Sequence, residues 1–357
     1  MRRLPIYFLV DVSESMVGES LSQLDEALRS IVSTLRQDPY ALETAHLSVI
    51  AFAGKARTIA PLTELVAFHP PELPVGGGTA LGAALEHLMD EIDRDVTTTT
   101  TERKGDWRPI IFLLTDGHPT DNTSSALDRW NRRYRNGASL VAVSVGGQAD
   151  HATLRALTED VVVFYDAAPD AFARFAQWVS MSIQTQSRSV STGKDAKVEL
   201  IKAESEFLAP VDSTGAQEDF GGVDNRFAVF VGRCEKNKLP YIVKYERHNG
   251  SIETADPQLM ELLQAREYAL VAAVPIRNSY FDFSDGVASG QSVSSQNLIG
   301  QPNCPHCGAP FGMAVCACGG IHCVDGDGEH LCPWCGKIGS YESAGDGEGF
   351  DIGRGRG

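Results

Sequence analysis

The chain opens with an unbroken apolar run, Leu4 to Val10, that stops at Asp11. A short hydrophobic segment bounded by polar residues reads as a strand buried on both faces of a parallel sheet. Leu21, Leu24, Leu28, Ile31, Val32 and Leu35 then recur at helical spacing. His46 to Phe52 reads as a strand, Ala56 to Ala60 is placed to pair with it, and Leu81, Ala84, Leu85, Leu88 and Ile92 mark another helix. Pro109 to Thr115, Ser139 to Val145 and Val161 to Tyr165 are further buried strands. Helices are predicted around Ser125 to Tyr134, His151 to Thr158 and Ala171 to Ile183. This alternation predicts an α/β domain over residues 1–186, a doubly wound, Rossmann-like sheet of parallel type with right-handed crossovers.

The pattern then changes. Gln184 to Lys197 is rich in Ser, Thr and Gln and has no hydrophobic period, so residues 187–221 read as a linker. From Phe227 the pattern is strand-like, at Phe227 to Val231, Tyr241 to Tyr245 and Tyr268 to Pro275, which predicts a small β-rich domain over residues 222–340. The last segment, 341–357, is mostly glycine and charge and reads as a disordered tail.

Composition narrows the function. A net charge of −16 argues against nucleic acid and anionic membrane as partners, because neutralising phosphate needs Lys and Arg. No apolar run approaches the roughly 18 residues that a membrane span requires. The start, Met-Arg-Arg followed by apolar residues, resembles a signal peptide, but Asp11 interrupts the run and no small-residue cleavage site follows. Seven of the eight cysteines lie between Cys304 and Cys335, which fits metal ligation in a reducing cytoplasm better than a disulfide framework.

Candidate chemistry begins where the first strand ends. Asp11, Ser13 and Ser15 form an Asp-x-Ser-x-Ser sequence at the C-terminal tip of that strand, where α/β sheets bind ligands. Carboxylate and hydroxyl oxygens suit a hard cation, Mg2+ or Mn2+. Alone, such a sequence equally caps a helix. Two further segments favour the metal: Gly76-Gly-Gly-Thr79 supplies a hydroxyl on a glycine-rich loop before a helix, and the strand Ile110 to Thr115 ends in Asp116. Together these resemble the von Willebrand factor A (VWA) family with its metal-ion-dependent adhesion site, over about half of the chain. The resemblance implies that Ser13, Ser15 and Thr79 bind Mg2+ directly, and that Asp11 and Asp116 hold it mostly through water. It also implies an open coordination position for an acidic side chain of a protein partner.

Cys304-Pro-His-Cys307-Gly and Cys332-Pro-Trp-Cys335-Gly are two zinc knuckles, each placing two thiolates on one tight turn. Between them lie Cys316, Cys318, His322 and Cys323, so seven cysteines and His322 make eight ligands and two closed Zn2+ sites. An interleaved arrangement would give the first knuckle one middle group and the second knuckle the other. His322 and Cys323 are awkward neighbours, since adjacent strand side chains point oppositely, and His306 or His330 could stand in. A single site of Cys304, Cys307, Cys332 and Cys335 is the fallback, and Cys234 reads as a small buried hydrophobe. The segment Cys304 to Cys335 has no Lys or Arg, which disfavours a nucleic-acid ribbon. With the VWA region, this Cys-rich segment resembles the TerY-type proteins associated with tellurite resistance. That resemblance implies a bacterial stress-response module with a Ser/Thr protein kinase and a PP2C-type phosphatase.

The alternative to an adaptor is a hydrolase or phosphotransferase using Asp11 and Asp116. A haloacid-dehalogenase-like enzyme needs a second carboxylate where Ser13 stands, and a P-loop needs a lysine that Gly76 to Gly82 lacks. His118 and Asp121 could form an acid/base pair, but no nucleophile–base–orienter set is visible, and a non-enzymatic protein is expected. The run Thr97, Thr98, Thr99, Thr100 and Thr101 falls at the far end of the helix that starts at the metal pole. Phosphorylation there would add charge away from the metal.

Overall fold

In the computed structural model the apolar run becomes β1 (Leu4–Asp11), every residue of which is buried. The structure describes residues 2–102, 104–145, 149–164, 171–191, 208–210, 226–247, 267–286, 289–342 and 349–355. Around β1 the first unit, Met1–Asp219, builds a seven-stranded sheet. Its other strands are β2 (Ala45–Phe52), β3 (Ala56–Glu64), β4 (Ile110–Thr115), β5 (Ser139–Val145), β6 (Val161–Phe164) and β7 (Leu208–Pro210), in the order β3-β2-β1-β4-β5-β6-β7. β1 pairs in parallel with β2 and β4, and β4, β5 and β6 continue in parallel. The two edges, β3 and β7, are antiparallel. The chain runs outward from β1 to β3 and returns to β4 on the other side, so the topological switch point lies between β1 and β4.

Helices α1 (Glu19–Leu35), α2 (Pro39–Thr44), α3 (Leu81–Asp95), α4 (Ser124–Arg133), α5 (His151–Leu157) and α6 (Ala171–Ser191) accompany this sheet. The stripe Leu21, Leu24, Leu28, Ile31, Val32 and Leu35 is buried along α1, as are Leu81, Ala84, Leu85, Leu88 and Ile92 along α3. These stripes supply the apolar area that makes such helices stable in place.

Two boundaries differ from those read in the sequence. The expected linker from residue 187 begins inside α6, where polar residues are buried rather than solvated. Ser180 and Ser182 donate to the carbonyls of Ala176 and Trp178, Gln186 and Ser187 are buried, and Arg188 pairs with Asp38 at 2.9 Å. Hydroxyls bonded back to the preceding turn can be buried without loss, so the absence of an apolar stripe misleads there. β7 also falls in the expected linker, and the rest of that segment lies outside the described residues.

The second unit, Phe220–Gly357, is β-rich. Strands β8 (Phe227–Arg233), β9 (Pro240–Arg247) and β10 (Tyr268–Pro275) form an antiparallel meander. With β11 (Ser292–Ser294), β12 (Leu298–Ile299), β13 (Phe311–Val315) and β14 (Ile321–Val324) come two small ribbon strands, β15 (Gly328–Leu331) and β16 (Ile338–Tyr341). The six-stranded sheet has the order β12-β10-β9-β8-β14-β13, β14 lying parallel to β8. Its core includes Phe230, Tyr241, Val243, Tyr245 and Ile321.

The expected disordered tail carries a further strand, β17 (Asp351–Gly353), antiparallel to β11. Ile352 is buried in the core cluster, Arg354 Nη1 donates to the carbonyl of Phe227 at 3.0 Å, and Gly355 N donates to that of Val229 at 2.7 Å. One apolar side chain and backbone pairing suffice to order a segment whose composition reads as solvated. Residues 343–348 and 356–357 lie outside the described residues.

Among the described residues no helix is long and apolar enough to cross a membrane. Ile352 is 3% exposed, so Ile352→Ala is expected to lower the stability of the C-terminal unit by about 2–4 kcal/mol in urea unfolding. The transition of the N-terminal unit should be unmoved.

Candidate metal centres

The C-terminal ends of β1 and β4 bring the first set of residues together. Asp11 Oδ1 accepts from the Ser13 backbone N–H at 2.9 Å, and Oδ2 accepts from Thr115 Oγ1 at 2.6 Å. One carboxylate oxygen thus fixes the loop that follows β1, and the other ties it to the end of β4. Ser13 Oγ and Ser15 Oγ lie 2.9 Å apart, and Ser15 Oγ donates to Asp116 Oδ1 at 2.7 Å. Thr79 arrives from the loop before α3, where its N–H donates to Thr120 Oγ1 at 2.9 Å and its carbonyl accepts from Thr120 N at 2.8 Å. Gly117 lies beside these hydroxyls, where a Cβ would stand 3.5 Å from Thr79 Oγ1 and 3.8 Å from Ser15 Oγ, in ordinary contact with both. Asp11, Ser13, Ser15 and Thr79 are all buried.

These donors fit a hard cation. Burial and the neighbouring Asp116 carboxylate push Asp11 up to about 7. A buried carboxylate beside a second one is costly to ionise, and a dication between them removes that cost. In the metal-free chain this group favours folding most at acid pH, and the contribution is lost as pH rises through about 7. Asp121, weighed above as half of an acid/base pair, instead anchors α3, because its oxygens accept from Gly82 N at 3.1 Å and Ala83 N at 2.9 Å. Thr115 and Thr120, which orient Asp11 and Thr79, carried no sequence signal beyond their nearness to Asp116.

The threonine run lies at the opposite end of the sheet. Arg3, just before β1, donates to Thr97 Oγ1 at 3.3 Å and pairs with Asp106 at 2.6 Å, while Thr97 N donates to Asp106 Oδ2 at 2.8 Å. Thr97 is half-buried and Thr98 to Thr101 are exposed.

In the C-terminal unit eight cysteines form two groups of four: Cys234, Cys304, Cys307 and Cys323, and Cys316, Cys318, Cys332 and Cys335. Cys307 Sγ lies 3.7 Å from Cys323 Sγ, and the pairs Cys316–Cys335 and Cys318–Cys332 are each 3.8 Å apart. A tetrahedron with Zn–S bonds of about 2.3 Å has edges of about 3.8 Å, so the sulfurs match a ZnS4 site. Without an ion the thiols titrate apart: the Cys318 N–H holds Cys316 down to about 6, while burial pushes Cys332 up to about 12 and Cys323 up as well. A dication allows all four to ionise.

The eighth member of the two groups is Cys234, and His322 belongs to neither. On β14 the side chains alternate, so Cys323 faces the sulfur group with Ile321 in the core and His322 points the other way. His322 Nδ1 donates to the Cys323 carbonyl at 3.1 Å, which leaves Nε2 to accept from Tyr341 Oη at 2.7 Å. The two substitutes are also engaged elsewhere, His306 with the Pro240 carbonyl at 2.8 Å and His330 with Glu235 at 3.1 Å. The interleaved arrangement holds in outline, with Cys234 completing the group of the first knuckle.

Cys234 sits on a disguised knuckle. Its N–H donates to Leu239 O and Lys238 N donates to its carbonyl, the pattern that Cys304 makes with Ala309 and Gly308, and Cys332 with Lys337 and Gly336. The fifth residue of each turn has positive φ: 62° at Lys238, 75° at Gly308 and 71° at Gly336. Asn237 stands where the other turns have a second cysteine, and Lys238 where they have glycine, so the Cys-x2-Cys-Gly signal is missing. Parallel pairing of β14 with β8 sets His322 opposite Arg233, and one step on Cys323 meets the Cys234 turn, where Glu235 N donates to its sulfur at 3.3 Å.

Residues 6–177 match the family model of the von Willebrand factor type A domain, and residues 224–357 match that of the TerY-C metal binding domain. Among solved structures, the chain is similar to proximal thread matrix protein 1 from the mussel byssus with a zinc-occupied MIDAS motif. That match has 18% identity and a TM-score of 0.36, and covers 52% of this chain and 46% of the mussel protein. A von Willebrand factor type A protein from Catenulispora acidiphila matches at 13% identity and a TM-score of 0.38, over 80% of this chain and 69% of its own. The pilus adhesin SpaC of Lactobacillus rhamnosus GG matches at 12% identity and a TM-score of 0.39, covering 52% of this chain and 30% of the adhesin. The chain thus spans less than half the length of the mussel and pilus proteins.

Because a cation must displace a proton from Asp11, Mg2+ affinity measured by calorimetry is expected to fall about tenfold per pH unit as pH drops below about 7, and to level off above it. For the sulfur groups, Cys234→Ser should remove one bound zinc per chain and unfold the C-terminal unit. His322→Gln should leave the zinc content, read by elemental analysis, unchanged.

Proposed function

We propose that this chain, which joins a von Willebrand factor A domain to a TerY-C metal-binding domain, is a non-enzymatic, metal-dependent adaptor between proteins. In this reading Asp11, Ser13, Ser15, Thr79 and Asp116 hold Mg2+ or Mn2+ as a metal-ion-dependent adhesion site. The ion supplies a coordination position for a carboxylate of a partner protein. The convergence of three neutral hydroxyls with a carboxylate pair at the sheet's switch point carries the proposal. Neutral ligands leave the cation's charge incompletely balanced, so an incoming Asp or Glu gains strongly in a partly desolvated site. Asp11 is fully buried, and each of its oxygens already accepts a bond, from Ser13 N and from Thr115 Oγ1. That placement suits an orienting group better than the nucleophile a hydrolase or phosphotransferase would need.

The C-terminal unit offers the second contact surface, its fold stabilised by Zn2+ at the two groups of four cysteines. Its resemblance to TerY-type proteins supports reading the adaptor as part of a cytoplasmic, bacterial stress-response module of the tellurite-resistance kind, with a Ser/Thr protein kinase and a PP2C-type phosphatase as partners. Thr98 to Thr101, exposed at the pole away from the metal, are then the phosphoacceptors, and a phosphate there changes docking without disturbing the cation.

Affinity purification from the native cell tests the proposal. Asp11→Ala or Thr79→Ala is expected to weaken partner capture about a hundredfold, the usual scale for truncating one side of a desolvated charge pair. Chelation of Mg2+ should do the same to the wild type, and the circular dichroism of the variants should stay native. Identical prey with and without metal would move the docking surface elsewhere.

A further inference from the structure

The two groups of four cysteines share ligand chemistry but differ in what reaches them. Cys234, Cys304 and Cys323 are 0%, 2% and 1% exposed, belong to the core cluster, and leave only Cys307 half-buried. In the other group Cys316 and Cys332 are buried, while Cys318 and Cys335 are exposed. Each exposed sulfur there has a buried one beside it, Cys332 for Cys318 and Cys316 for Cys335, both at 3.8 Å. Cys332 and Cys335 lie between β15 and β16, a ribbon that pairs with no other strand among the described residues. The ribbon is held to the rest of the unit by side chains rather than by strand pairing, Trp334 Nε1 donating to the Ile321 carbonyl at 2.6 Å and Leu331 N to Glu235 at 3.1 Å.

We propose that the group Cys316, Cys318, Cys332 and Cys335 is an oxidation site. A hydroperoxide there converts an exposed and a buried thiolate into a disulfide and releases the bound ion, while the Cys234 group keeps its own. The inference rests on the zinc loading proposed above. The exposed thiolate attacks the O–O bond of the peroxide, giving a sulfenic acid and hydroxide. The buried neighbour then attacks the sulfenic sulfur, forming the S–S bond and expelling a second hydroxide. Two thiolates lose two electrons, the peroxide is reduced to two waters with two protons from solvent, and the ion loses two of its four anionic ligands. The Cys234 group offers an oxidant only the half-buried Cys307, so its reaction is slower by access.

The test uses the full zinc-loaded chain. Elemental analysis first counts zinc; a chain that carries none overturns the loading and this inference together. Hydrogen peroxide is then added with a chromophoric chelator, and cysteines are alkylated at intervals and mapped by mass spectrometry. One zinc per chain is expected to leave at least about tenfold faster than the other, with a disulfide mapping to Cys318–Cys332 or Cys316–Cys335. Two zincs leaving at a single rate, or a first disulfide within the Cys234 group, would overturn the inference while leaving the zinc loading intact.

Discussion

Negative charge confined at short range is the constraint around which both units are arranged. At the end of β1, Asp11 is fully enclosed and faces Asp116 across two serine hydroxyls. In the C-terminal unit four thiols crowd within 4.8 Å at each of two places. Such clusters cannot ionise fully without mutual repulsion unless a cation joins them. Neighbouring groups hold the donors in place: Thr115 bonds Asp11, Thr120 bonds Thr79, and knuckle turns point backbone N–H groups at sulfur.

The two units meet this constraint differently. The sheet of the first unit buries long apolar strands and helix stripes, so its donors are held in place by a core that does not need the ion. The second unit has a smaller core, and three of its cysteines are themselves members of it. Where thiols of this kind take up a metal, ligation and folding are coupled. In the proposed reading an ion at Asp11 would serve recognition, whereas ions at the cysteines would serve the folding of the second unit.

The Asp11 site was legible in the sequence because each donor sits directly at the end of a strongly apolar strand or the start of a striped helix, where local pattern and position coincide. Cys234 was not, because its partners lie far along the chain and its turn adopts a knuckle conformation with Asn237 and Lys238 in place of the usual cysteine and glycine. His322 was misassigned by counting residue types, although the alternation of strand side chains already argued against it. The end of α6 escaped because buried serines bonded to the preceding turn look like solvated ones. β17 escaped because a three-residue strand has too little sequence to show a period. Long elements with a period are thus readable, while sites closed by distant partners are settled only by topology.

The return of the chain to β8 sets an order of events during synthesis. Gly355 N bonds to Val229 and Arg354 to Phe227, so the first strand of the C-terminal unit gains its last partners only when residues beyond β17 have left the ribosome. Cys234 likewise waits for Cys323. Through that interval a nascent chain presents unligated thiols and an unpaired strand edge. The N-terminal unit draws its sheet from residues up to Pro210 and can close long before. The second unit therefore completes its pairing later than the first, and its thiols stay open to a metal or an oxidant through that interval.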